Sequence, residues 1–125
     1  EIAALPFKEL SKAEPGEPSA KIRERVIAAR ALQTERFRDV PGIHCNAQMT
    51  ERLIHQYAEP DEAGLELLRM AMDRLSLSAR AYSRILKVAR TIADLAAEPA
   101  IRPEHISEAI SYRQLDRGDW AERGL

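Results

Sequence analysis

A single cysteine, Cys45, stands in the 125 residues, so the chain can form no internal disulfide, and a reducing compartment, the cytoplasm, is the simpler expectation. No sign of charge dominates: 19 Lys and Arg against 20 Asp and Glu leave a net charge of −1. The basic excess that marks a general nucleic-acid binder is therefore missing. No apolar run approaches the length of a membrane span, and no signal-peptide pattern opens the chain. Internal repeats and low-complexity runs are absent, and no phosphate loop of the form G-x-x-x-x-G-K-[ST] can be written anywhere. What is there is a globular composition, 45% hydrophobic and 31% charged, at a length that suits one domain with a modest core.

Almost every periodic stretch is helical. The chain opens on "EIAALPFKEL", strand-like and without an initiator Met, which suggests a piece of a longer protein. "SKAEPGEPS" follows as a loop, with Pro15, Gly16 and Pro18 as breakers. Ser19 is a plausible cap for a helix over 20–37, in which Ile22, Val26, Ala29, Gln33 and Phe37 share one side. Pro41-Gly42 marks a turn within "DVPGIHCN". Thr50 and Asp61 are the expected caps of helices over 51–57 and 62–75, and Gly64 is expected to cost the second some stability. Ser78 opens a helix over 79–97, and Pro103 takes a first-turn position before a last helix over 104–114. With no second strand to build a sheet, the expected fold is all-α, a small bundle of about five helices.

The helix over 79–97 is the one with a possible function. At about 100° per residue, Tyr82, Ile85, Ala89, Ile92, Ala93 and Ala96 gather on one face, with Leu86 at its edge. These should be core, and the small alanines should admit a close neighbour. Arg80, Arg84 and Lys87 line the opposite face and should be exposed, with Arg90 at the flank. A solvated basic surface is the plain reading of such a stripe. Against it, Arg80 and Arg84 lie in the first half of the helix, where the dipole disfavours cations and an anion would relieve the cost.

"LSARAYSRILKVARTIADLA" followed by "IRPEHISEAISYR" resembles the C-terminal part of the magnesium-chelatase-related AAA+ ATPases, the ComM/YifB group. "EIAALPFKEL" is similar to the last strand of that family's ATPase core and the segment leaving it. "GEPSAKIRERVIAARALQTERF" resembles its connecting helix, and "IHCNAQM" the short segment after it. The resemblance spans essentially the whole chain. It implies that residues 1–18 leave the ATPase core and that residues 19–125 form the helical lid over the nucleotide.

The same resemblance implies roles. In the Ser-x-Arg pattern of Ser78, Ala79 and Arg80, Arg80 takes the place of the sensor 2 arginine, the catalytic group that steadies the γ-phosphate charge. Arg84 would assist it in holding ATP or serve as a salt-bridge partner, while Lys87 and Arg90 would be structural. ATP and Mg²⁺ would belong to the full-length protein, bound by the preceding core, and the fragment alone would bind neither tightly. The full protein would be a cytoplasmic, ring-forming, hexameric motor acting on DNA, of the kind associated with branch migration during natural transformation, with no membrane partner. The rival reading is a free-standing helical adaptor whose basic face meets an acidic partner.

Other chemistry finds little support. His44 and Cys45 are adjacent, but zinc needs three or four ligands and there is no second Cys. His55 and His105 are isolated on helices, so no metal site is expected. Met49, Met70 and Met72 suit packing, and Asp61, Glu62 and Glu104 suit helix starts.

Overall fold

The computed structural model describes the backbone of residues 18–122 and the side chains of residues 18–112. The strand-like opening and the 1–18 segment, apart from Pro18, lie outside the described residues. Five α-helices follow in order: α1 (Ser19–Arg36), α2 (Glu51–Tyr57), α3 (Glu62–Leu75), α4 (Ala79–Leu95) and α5 (Pro103–Glu122). A 3-10 turn at Asn46–Gln48 sits between α1 and α2, and no strand occurs among the described residues. The fold is the expected all-α bundle.

Local chemistry explains the helix starts. Thr50, Asp61 and Ser78 each accept a bond from a backbone N–H three residues on, at Leu53, Gly64 and Ala81. α1 departs from this: Pro18 is its cap and offers no side-chain bond, while Ser19 is already helical. Gly64 is more than a weak point in α3. A Cβ there would meet Pro60 Cβ at 2.9 Å and the capping Asp61 Oδ1 at 3.2 Å, so the glycine lets the chain entering α3 pass close by. At the other end of α3, Ser76 takes φ 53°, and Ala97 beyond α4 takes φ 58°. Both stand at the left-handed position that closes a helix, where glycine is usual.

α4 is the hub. It packs against α1, α2, α5 and the 3-10 turn, whereas α3 reaches the rest of the bundle through α5. Its buried residues, from Ala81 to Asp94, occupy roughly two-thirds of its circumference at 100° per residue. Ile85, Leu86, Ala89 and Ala93 are buried as expected, and they meet Leu53, Ile54, Leu68, Ile106 and Ala109 in one core. Ala89, Ala93 and Ala109 are buried and carry only a methyl group each, which lets neighbouring helices approach closely.

Several positions differ from expectation. Tyr82 and Ile92 are half-buried because each borders a surface groove. Ala96 is exposed, since α4 stops at Leu95 and the chain turns away at Ala97. α5 runs to Glu122 instead of ending near residue 114, passing through Gly118. On α1 and its C-cap, Ala29, Gln33 and Phe37 are buried, but Ile22 and Val26 on the same side are exposed, as is every residue from 18 to 28.

Candidate phosphate-contact site on the central helix

The site begins with how α4 is aimed. Ser78 fixes its first turn, and Ser83 Oγ donates to Glu51 Oε2 at 2.7 Å, tying the next turn to the start of α2. Farther along, Arg36 of α1 donates twice to Asp94, Nη1 to Oδ2 and Nη2 to Oδ1, each at 2.8 Å. Asn46 in the 3-10 turn joins them. It accepts from Arg36 Nη1 at 3.0 Å and donates through Nδ2 to Asp94 Oδ2 at 2.9 Å and to Thr91 Oγ1 at 3.1 Å. Gln33 Oε1 accepts the Asn46 backbone N–H at 2.9 Å, so this polar cluster satisfies itself.

Arg90 completes the cluster from the other side. Its Nη2 lies 3.2 Å from Asp94 Oδ1, and its guanidinium donates to the carbonyls of Tyr57, Glu98 and Pro99. It thereby satisfies backbone acceptors where α2 ends and where the chain leaves α4. Its Nε has no partner among the described residues. The expected flank position of Arg90 is thus corrected to a buried one, although its structural role stands. Burial pushes the Asp94 pKa up, but bonds from Arg36 and Asn46 and the charges of Arg36 and Arg90 outweigh it, leaving the carboxyl below its ordinary value. Burial also lowers the Arg90 pKa, with Arg36 adding repulsion and Asp94 opposing both.

The remaining arc of α4 carries the other cations. Arg80 and Arg84 are exposed, and neither side chain makes a hydrogen bond or ion pair with any described residue. Lys87 is partly buried, a correction, because it lines a groove of about 530 Å³ with Arg84, Ala47, Val88, Thr91, Ile92, Leu95 and Tyr112. Arg80 does not line that groove. It stands in the first turn of α4, where no acidic residue neutralises it. With five N–H donors on a capped, braced helix, it can meet phosphate oxygens without reordering the fold.

The histidines and the cysteine lie apart from this site. His105 Nδ1 accepts the Arg102 backbone N–H at 2.9 Å, and His55 lies 3.0 Å from Glu59. His44 offers its backbone N–H to Gln48, and Cys45 is a half-buried free thiol. Among the described residues no group of three or more His, Cys, Asp or Glu is placed to hold a metal ion. No helix there is long and apolar enough to cross a membrane. The Arg36–Asn46–Asp94 cluster escapes a reading of the sequence; its only traces are Gln33 on an otherwise apolar stripe and the Arg90–Asp94 spacing of four.

Comparison with known proteins fits this architecture. The family described as "Magnesium chelatase, subunit ChlI C-terminal" matches residues 16–113. The competence protein ComM of Haemophilus influenzae is 38% identical over 118 residues, covering 94% of this chain and 22% of that protein. The uncharacterised protein YifB of Escherichia coli K12 is 40% identical over 103 residues, 82% of this chain and 19% of its own length. YifB of Salmonella typhimurium is 40% identical over 105 residues, with 84% and 20% covered. The chain thus spans about a fifth of the length of these relatives. No solved structure matches it. The chain belongs to the magnesium chelatase ChlI C-terminal family, as the helical C-terminal domain of the ComM/YifB group.

Proposed function

We propose that this domain is the lid over the nucleotide of a magnesium-chelatase-related ATPase, and that Arg80 is its sensor 2 arginine. The observation that carries the reading is a guanidinium with no partner among the described residues, exposed in the first turn of a helix whose remaining length is packed into the bundle. Arg84, about one turn along, assists in holding the phosphates. The preceding core supplies the phosphate loop, Mg²⁺ and most of the binding energy for ATP, so the lid alone has no turnover.

The full-length protein, on this reading, is a cytoplasmic homo-oligomeric ring, a hexamer, in which neighbouring subunits meet around the nucleotide. One relative is named a competence protein, which supports extending the reading to a DNA-acting motor of the branch-migration kind. The near-neutral charge of this domain supports placing the DNA contacts elsewhere in the assembly.

Nucleotide binding to the full-length protein tests the sensor role. Arg80→Ala should weaken binding of a non-hydrolysable ATP analogue and leave ADP affinity unchanged, because only ATP carries the γ-phosphate. Equal weakening for both nucleotides, or for neither, would overturn it. The isolated domain should bind ATP and Mg²⁺ no tighter than about 1 mM, since one or two phosphate contacts supply little affinity.

A further inference from the structure

α2 is clasped to α4 at both of its ends. At its start, Glu51 Oε2 accepts from Ser83 Oγ at 2.7 Å, and at its end the Tyr57 carbonyl accepts from Arg90 Nη1 at 3.2 Å. The clasps come in the same order along both helices. A rise of about 9 Å separates Glu51 from Tyr57 and about 10 Å separates Ser83 from Arg90, so the two bonds stand like rungs between them. Leu53 and Ile54 of α2 share the core with Ile85, Leu86 and Ala89 of α4. Nearer the start of α4 the packing is thinner. The buried residues of its first two turns are Ala81, which offers only a methyl group, and Ser83. A hydrogen bond is directional where apolar contact is not, so the Ser83–Glu51 bond sets how those turns are rotated about the axis. Arg80 stands about 4.5 Å from Ser83 along the axis and about 60° around it, and it inherits that rotation.

We propose that Ser83 and Glu51 are positioning residues for Arg80. Their bond, backed by the contact of Arg90 with Tyr57, holds the start of α4 at the rotation that aims the Arg80 guanidinium at the γ-phosphate. The proposal rests on Arg80 being the sensor 2 arginine. A group that meets phosphate oxygens in the transition state must be held within about 0.5 Å and about 10–20° of its working geometry. Arg80 sits on a helix, which carries its own rigidity, so fixing the rotation of the helix fixes the aim. Folding needs this bond less. Ser83 is buried, but Glu51 is exposed, and its carboxylate turns to water when the hydroxyl is removed. Aim, more than stability, is what the pair supplies.

Turnover and nucleotide binding by the full-length protein test it. Ser83→Ala and Glu51→Ala should each lower ATP turnover about three- to thirtyfold, since a misplacement of about 1 Å costs up to about a hundredfold. Both should weaken binding of a non-hydrolysable ATP analogue and leave ADP affinity unchanged, a contrast that a loosened fold does not produce. Glu51→Gln keeps an oxygen that accepts from Ser83 and should retain wild-type turnover. In an Arg80→Ala background, Ser83→Ala should cause no further loss, because the group it aims is gone. Wild-type turnover in either Ser83→Ala or Glu51→Ala would overturn the proposal, and so would losses that multiply in the double variant. A loss in Glu51→Gln equal to that in Glu51→Ala would assign the effect to charge and overturn it too. The two readings fail separately: wild-type behaviour of Arg80→Ala removes the sensor role and the positioning with it, whereas a loss confined to Arg80→Ala removes the positioning alone.

Discussion

Arg36 and Asp94 lie 58 positions apart in the chain and close on each other as a two-pronged ion pair, both bonds at 2.8 Å. The Asp94 side chain is fully enclosed and that of Arg36 nearly so. The Arg36 guanidinium also stands 6.0 Å from the ring centres of Phe37 and Tyr57, which meet edge to face. This contact joins the end of α1 to the end of α4 and so sets how the bundle holds the helix that presents Arg80.

Removing either partner should therefore be expensive. Arg36→Ala leaves the enclosed Asp94 with Arg90 as its one remaining cation among the described residues, and Asp94→Ala leaves two neighbouring guanidiniums without their carboxylate. Each should destabilise the domain by about 3–5 kcal/mol. Urea unfolding of the two single variants and the double variant checks this. The double variant should cost less than the sum of the singles, since each single change already forfeits the shared pair.

Acid should act through the same carboxylate. The folded-state pKa of Asp94 lies below its ordinary value, so the folded chain binds this proton less readily than the unfolded chain. The stability it contributes is complete above the unfolded value of about 3.9 and is lost as pH falls through the lower folded value. Melting temperatures between pH 7 and roughly pH 2 should show this acid-side loss, and Asp94→Asn should flatten it while lowering stability at neutral pH.

Two backbone positions should respond in opposite directions to glycine and alanine. Ala97 sits at φ 58° on the surface, and Ala97→Gly should stabilise the domain by about 0.5–1 kcal/mol by removing the left-handed penalty. Gly64→Ala should destabilise it by about 1–3 kcal/mol, despite the better helix propensity of alanine, because the new Cβ meets Pro60. Thermal midpoints of the two variants in one buffer settle both signs.

The contrast at Gly64 shows where the sequence was legible and where it was not. The starts of α2, α3 and α4 could be read because Thr50, Asp61 and Ser78 announce them chemically and an apolar period follows. The close pass at Gly64 could not be read, since it depends on where Pro60 lies in space. The buried breadth of α4 was hidden for a related reason. Periodicity finds one apolar face, but the second covered side of α4 is lined by Ser83, Arg90 and Asp94, polar residues whose spacing also suits a solvated surface. The 3-10 turn that carries Asn46 is three residues long and has no period to detect. Arg80 and Arg84 were legible as exposed cations because nothing but a single helix decides their side.

The most direct measurement of the central claim is ATP turnover by the full-length protein with Arg80→Ala and, separately, Lys87→Ala, paired with melting of the isolated domain for both. Arg80→Ala should lower turnover about ten- to a thousandfold, the range for losing one charged transition-state contact, and leave the melting point nearly unchanged because the side chain is exposed. Lys87→Ala, about 10 Å farther along the helix axis, should barely change either. Wild-type turnover in Arg80→Ala would contradict the account, and so would unfolding of the isolated domain by that change.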